Sequence, residues 1–78
     1  MKVDVVSPDK TLFSGELSLV KVPGLDGSFE ILDHHAPLVS ILGKGEIKLL
    51  GANKNEQRIA IKGGVIEVSN NEVKILID

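Results

Sequence analysis

The chain has no cysteine, no tryptophan and no tyrosine, and Phe13 and Phe29 are its only aromatic residues. Without thiols it can form neither a disulfide nor a thiolate metal site, and this composition fits a reducing cytoplasm. Two isolated phenylalanines cannot assemble the base-stacking platform of a single-strand binder. A strong charge of one sign is missing too. Nine basic side chains stand against eleven acidic ones, and no lysine cluster reaches the density of a polyanion-binding face, so nucleic acid is not an expected partner. No apolar run approaches the roughly 18 to 20 residues of a membrane-spanning helix, and Met1-Lys2 leads into strand-like sequence rather than a signal-peptide core.

What is present is aliphatic. Apolar residues make up 42% of the 78, mostly Val, Ile and Leu, enough for one small domain over residues 1–78. A chain this short buries only about 60 to 65% of its unfolded surface, and an unfolding free energy of about 4 to 8 kcal/mol is expected. That leaves little stability for strained catalytic geometry.

Alternation dominates the order of residues. Val3 and Val5 share one side of K-V-D-V-V-S with Lys2 and Asp4 opposite, the period-2 pattern of a half-buried strand. Ser7-Pro8-Asp9-Lys10 reads as a turn and Thr11 to Phe13 as resumed extension. A strand through Leu17, Leu19, Val20 and Val22 is expected to close at Pro23-Gly24. Gly24 and Gly27 bracket Leu25-Asp26 as a turn, and a short strand follows over Ser28 to Leu32. Leu38 to Leu42 fits a strand better than a helical turn begun at Pro37, because Gly43 and Gly45 would stop a helix at once. Glu46 to Leu49 and Arg58 to Lys62 pair across the polar loop Gly51 to Asn55. Gly63-Gly64 marks a bend, and Asn70-Asn71 supplies a type I′ hairpin between Val65–Val68 and Val73–Ile77. About eight to ten short strands without a helix of normal length predict an all-β, flattened antiparallel sandwich or barrel.

Unusual residues gather between Gly24 and Val39, G-L-D-G-S-F-E-I-L-D-H-H-A-P-L-V, which holds both histidines. Phe29, Ile31 and Leu32 are expected to form an apolar patch, with Asp33, His34 and His35 at the crest of a semi-rigid connection. Those three side chains first suggest a metal site or general base. In an extended connection, however, His34 and His35 point to opposite sides, and no other histidine or cysteine exists to complete a ligand shell. No serine sits in a glycine-flanked nucleophile elbow, and Gly43-Lys44-Gly45 lacks the spacing of a phosphate loop. Glu67 and Glu72 read as a solvated edge beside the asparagine hairpin. No catalytic residue, metal ligand or cofactor site follows, and docking is the expected role.

Four segments, in this order and spacing, carry a resemblance over essentially the whole chain. They are V-D-V-V-S-P-D-K-T-L-F-S-G-E from Val3 to Glu16, V-P-G-x-x-G from Val22 to Gly27, H-A-P-L from His35 to Leu38, and G-G-V-I-E-V from Gly63 to Val68. Together they resemble the amino-terminal domain of the epsilon subunit of F-type ATP synthases, called delta in mitochondria. The resemblance implies a ten-stranded β-sandwich that catalyses nothing itself. Such a domain sits peripherally at the cytoplasmic face of a bacterial inner membrane, in the central stalk of a proton-translocating synthase, holding gamma and the ring of c subunits. Membrane association would come only through the complex.

Carried over by position, the ring-facing residues are Gly27, Ser28 and Phe29 with Asp33, His34, His35, Ala36 and Pro37, and the gamma-facing ones Ser7, His35 and Ser40. Ser28 stands where many members carry an acidic residue, which leaves no charge there to pair with the ring. Many members also continue into two helices that can bind ATP and inhibit hydrolysis. Because the sequence stops at Ile77-Asp78, a short form without that helical domain, binding no ATP, is the expectation. The competing reading is a small metal-dependent or hydrolytic enzyme using Asp33, His34 and His35.

Overall fold

A computed structural model describes all residues 1–78 and contains nine strands and no helix. They are β1 (Lys2–Val6), β2 (Thr11–Glu16), β3 (Leu19–Gly24), β4 (Gly27–Leu32), β5 (Leu38–Leu42), β6 (Gly45–Leu50), β7 (Glu56–Ile61), β8 (Gly64–Ser69) and β9 (Glu72–Ile77). Hydrogen bonding runs β2-β1-β9-β8-β5 through one half and β4-β3-β6-β7 through the other. The halves join where Gly24 of β3 meets Leu42 of β5. From that junction the sheet curls over on itself, and the domain measures 27 × 23 × 19 Å, the thickness of two packed sheets.

The period-2 pattern decides which side chains meet inside. In the first half Phe13, Val5, Ile75 and Ile66 lie in cross-strand register, and so do Val3, Val73 and Val68 in the next row. In the second half Ile31, Val20 and Leu49 form the facing row, with Ile47 opposite Ile59 beside it. Most of these are fully enclosed in one hydrophobic cluster, with no polar side chain buried among them. Each fully buried Val, Ile or Leu stabilises the fold by about 1.5–3 kcal/mol against conformational entropy of similar total size.

The all-β architecture and the strand at Leu38–Leu42 match the sequence reading, and Asn70 and Asn71 both take the positive φ (52° and 59°) of a type I′ turn. Several details differ. The sheet is mixed rather than purely antiparallel, because β1 lies parallel to β9 with Val3 opposite Val73; alternation marks a strand but says nothing of its neighbour's direction. Nine strands stand where the resemblance implied ten.

Pro23-Gly24 belongs to β3 instead of ending it. Pro23 lies beyond the stretch of β3 that β6 pairs, so its missing N–H breaks no bond to that strand, while its carbonyl accepts from Gly43 N at 2.8 Å. Phe29, Ile31 and Leu32 do not form one patch. Ile31 is buried and Leu32 is 54% exposed, since adjacent strand residues face opposite ways. Glu67 and Glu72 are solvated, yet they lie on the outer face of interior strands rather than on an edge.

Candidate interaction surfaces

Strand direction sorts the connections into two ends. At one end lie Met1, the Asp33–Pro37 connection, the Gly51–Asn55 loop and the Asn70-Asn71 turn. They are tied together where Lys2 N donates to Asn71 O at 3.2 Å, Leu17 N to Met1 O at 3.0 Å and Ser18 N to Leu50 O at 2.9 Å. At the other end lie the Ser7–Lys10 turn, Leu25-Asp26, Gly43-Lys44 and Gly63. The bonds there run from Leu25 N to Ile41 O at 3.2 Å and from Gly43 N to Pro23 O at 2.8 Å.

The connection between β4 and β5 is a tight turn rather than an extended crest. His35 N donates to Leu32 O at 3.2 Å, and His34 takes φ 62°, a left-handed conformation that histidine tolerates better than most side chains. His34 N then donates to the Asn71 side chain at 2.7 Å, pinning the turn to the β8–β9 hairpin. His35 Nδ1 lies 2.7 Å from Ala36 O, and both histidines are exposed.

Asp33 is not free either. Its Oδ1 accepts from the Met1 ammonium at 2.5 Å, while that ammonium also donates to Leu17 O at 3.1 Å and sits 3.4 Å from Glu16. The hydrogen bond to Asp33 is the main reason the Met1 amine titrates above its ordinary value, against the opposing pull of burial. The same bond holds the Asp33 carboxyl below its ordinary value. Asp33, His34 and His35 therefore share a turn but not a ligand geometry, and no three His, Asp or Glu side chains of the chain converge to hold a metal ion.

The other residues singled out in the sequence divide between the ends. Gly27 and Ser28 sit at the far end of β4 from Asp33, about 17–20 Å away at the usual rise per residue. Gly27 carries φ 127°, which a side chain there would strain. Phe29 packs partly on the core beside them. Ser7 belongs to the same end, its N–H donating to Lys10 O at 2.8 Å. Ser40 faces inward, opposite Ile66, and is only half-buried. The proposed ring-facing set is thus brought together only along β4, a strand whose sole partner is β3 and whose other edge is open. The largest groove is also remote from the histidines, lined by Leu25, Ser28, Phe29, Val39 and Ile41 among others.

The two outer faces differ in character. On the second half, Arg58 Nε binds Glu56 at 2.6 Å and its Nη1 lies 3.6 Å from Glu46, with Lys48 3.7 Å from Glu56. The bond to Arg58 draws the Glu56 carboxyl below its ordinary value. On the first half, Val6, Leu76, Val65 and Ile41 lie in register across β1, β9, β8 and β5 with their side chains outward. Nothing in the sequence reading singled out these residues. The available signal was the aliphatic doublet, since in Val5-Val6, Val65-Ile66, Ile75-Leu76 and Ile41-Leu42 one member must leave the core.

Comparison with known proteins is consistent with this geometry. The family described as "ATP synthase, Delta/Epsilon chain, beta-sandwich domain" matches residues 1–78. An ATP synthase epsilon chain of Chlorobium limicola is 44% identical over 99% of this chain and 88% of its own length. Another, of Leptospira borgpetersenii, is 45% identical over 100% of this chain and 61% of its own length. Among solved structures, a chain in the Euglena gracilis mitochondrial ATP synthase matches with a TM-score of 0.90 at 18% identity, covering 96% of this chain and 48% of its own. A chain in the central stalk and c-ring of the Tetrahymena thermophila enzyme matches at 0.80 and 19%, covering 97% of this chain and 61% of its own. These two likenesses concern the fold. The relatives are chains of ATP synthase, which leaves the metal-enzyme reading of Asp33, His34 and His35 unsupported.

Proposed function

The chain belongs to the ATP synthase delta/epsilon chain family, and from that premise we propose that it is a non-catalytic rotor subunit, binding gamma and the c-ring of a proton-translocating F-type ATP synthase. The observation that carries this reading is the family match over every residue of the domain. The physical character of the domain supports it. A core without buried polar side chains, closed by cross-strand ladders on every interior strand, suits a rigid adaptor that transmits torque through its surfaces.

The ring contact is proposed to run along the open edge of β4, from Gly27, Ser28 and Phe29 to Asp33, His34, His35, Ala36 and Pro37. That course reconciles segments at opposite ends of the domain, because an edge strand laid against a partner presents its whole length. Gamma is proposed to meet Ser7, Ser40 and His35. The domain would act peripherally at the cytoplasmic face of a bacterial plasma membrane, held there by the complex; no helix of the chain is long and apolar enough to cross a membrane.

Capture of the gamma subunit from the same organism tests the reading. Stoichiometric retention by the immobilised chain at moderate salt is expected. Absence of capture at low and moderate salt alike would count against it.

A further inference from the structure

We propose that the Met1 α-amino group is a modification site, around which the domain closes properly only when the nitrogen is a free ammonium. The N-formyl group on which a bacterial chain is initiated must therefore be hydrolysed off, and the methionine itself kept. This takes from the rotor reading only its bacterial setting and stands or falls without gamma.

Oxygens from separate parts of the chain converge on the Met1 nitrogen. Asp33 Oδ1 approaches to 2.5 Å from the β4–β5 turn, Leu17 O to 3.1 Å from between β2 and β3, and Glu16 Oε2 to 3.4 Å from the end of β2. An ammonium carries three N–H donors and a positive charge, which suits one carbonyl and two carboxylates. A formamide has a single N–H, no charge and a carbonyl oxygen of its own. It would leave most of these acceptors without this donor and set a further oxygen among them.

Neighbouring contacts hold the nitrogen where it is. Met1 is 6% exposed and belongs to the hydrophobic cluster. Its carbonyl accepts from Leu17 N at 3.0 Å, and Lys2 N donates to Asn71 O at 3.2 Å. Turning the terminus outward to make room for a formyl group would give up that packing and those bonds. Excision of Met1 would remove the core side chain along with the amine. Lys2 protects against this, because initiator methionine is removed ahead of small residues and Lys2 is long.

The chemistry required is one hydrolysis by a deformylase. Water adds its oxygen to the formyl carbon, the C–N bond breaks, formate leaves, and both water protons end on the nitrogen as it becomes an ammonium. Since the folded domain encloses Met1, hydrolysis has to precede closure. The processed amine then holds Asp33 and, with the bond from His34 N to Asn71, fixes the β4–β5 turn from both sides.

The test is urea unfolding of full chains made by chemical synthesis, with a free or an N-formylated Met1, each carrying either Asp33 or Asp33→Asn. Formylation is expected to lower the midpoint of the Asp33 chain by about 1 M or more. In the Asp33→Asn pair the drop should be less than half as large, because the two changes act on one contact. Equal midpoints for the free and formylated Asp33 chains overturn the proposal. So does a formyl penalty that Asp33→Asn leaves unchanged. Should the formylated chain not fold, an Nα-dimethyl Met1 decides: it has similar bulk but stays cationic, so folding supports the ammonium socket and failure to fold overturns it. The mass of the subunit taken from purified synthase is the second measurement. An unblocked Met1 terminus is expected; a retained formyl group, a chain beginning at Lys2 or an extended terminus overturns the proposal.

Discussion

Replacing Gly64 by alanine should cost this small domain a large share of its stability although it adds a single methyl group. Gly64 opens β8 between Ile77 of β9 and Leu42 of β5. A Cβ there would stand 2.3 Å from Leu76 O and 3.2 Å from Ile77 Cα, both backbone atoms that cannot swing aside. The β8–β9 ladder would have to part locally, at an overpacking cost of about 1–3 kcal/mol. The 2.3 Å approach to a backbone oxygen puts that cost in the upper part of its range, at about 2–3 kcal/mol, and alanine's smaller unfolded-state entropy returns about 0.4–1 kcal/mol, leaving a net loss of about 1–2 kcal/mol. With a urea slope of about 1 kcal/mol/M, the midpoint should fall by about 1–2 M. Gly51 is the control, because a Cβ there meets only Asn55 O at the ordinary contact distance of 3.9 Å. Gly51→Ala should leave the midpoint unchanged or raise it slightly. A Gly64→Ala protein as stable as its parent would refute the argument from close approach.

Three further outcomes follow from the packing and the charges. Truncating Ile31→Ala, at a fully buried site facing Val20, should destabilise by about 2–5 kcal/mol and leave little folded protein at 37 °C by circular dichroism. Changing Asn71→Ala removes both a side chain suited to positive φ and the acceptor for His34 N. A loss of about 1–2 kcal/mol is expected, with faster amide exchange at His34. The Met1–Asp33 pair contributes most between two pH limits. The amine's raised pKa means its share is present at neutral pH and lost as pH rises through that value; the carboxyl's lowered pKa means its share is lost as pH falls through that one. Asp33→Asn should therefore flatten the stability profile at both limits, and an unchanged profile measured by urea titration across pH would contradict the pairing.

Much of the fold was legible because strands half-buried in a small sandwich must alternate. Val3 and Val5, Val20 and Val22, Ile47 and Leu49 declare their face without knowledge of any partner. Asn70-Asn71 declares its turn, since few residue pairs accept two successive positive φ values. What alternation cannot carry is the neighbour across a ladder, so the parallel pairing of β1 with β9 was not readable. The turn at His34 was misread as extended because its conformation is fixed by bonds to Leu32 and to the distant Asn71. For the same reason Asp33 looked available: its partner is the Met1 amine, far away in sequence. The outer aliphatic row was present as doublets, but only register shows that they align across four strands.

The most direct measurement is ATP-driven proton pumping by a purified synthase from which this subunit has been removed and then restored. The account expects loose coupling without the chain and recovery when the parent protein is added back. Full coupling in its absence would contradict the central claim that this sheet holds two parts of a rotor together.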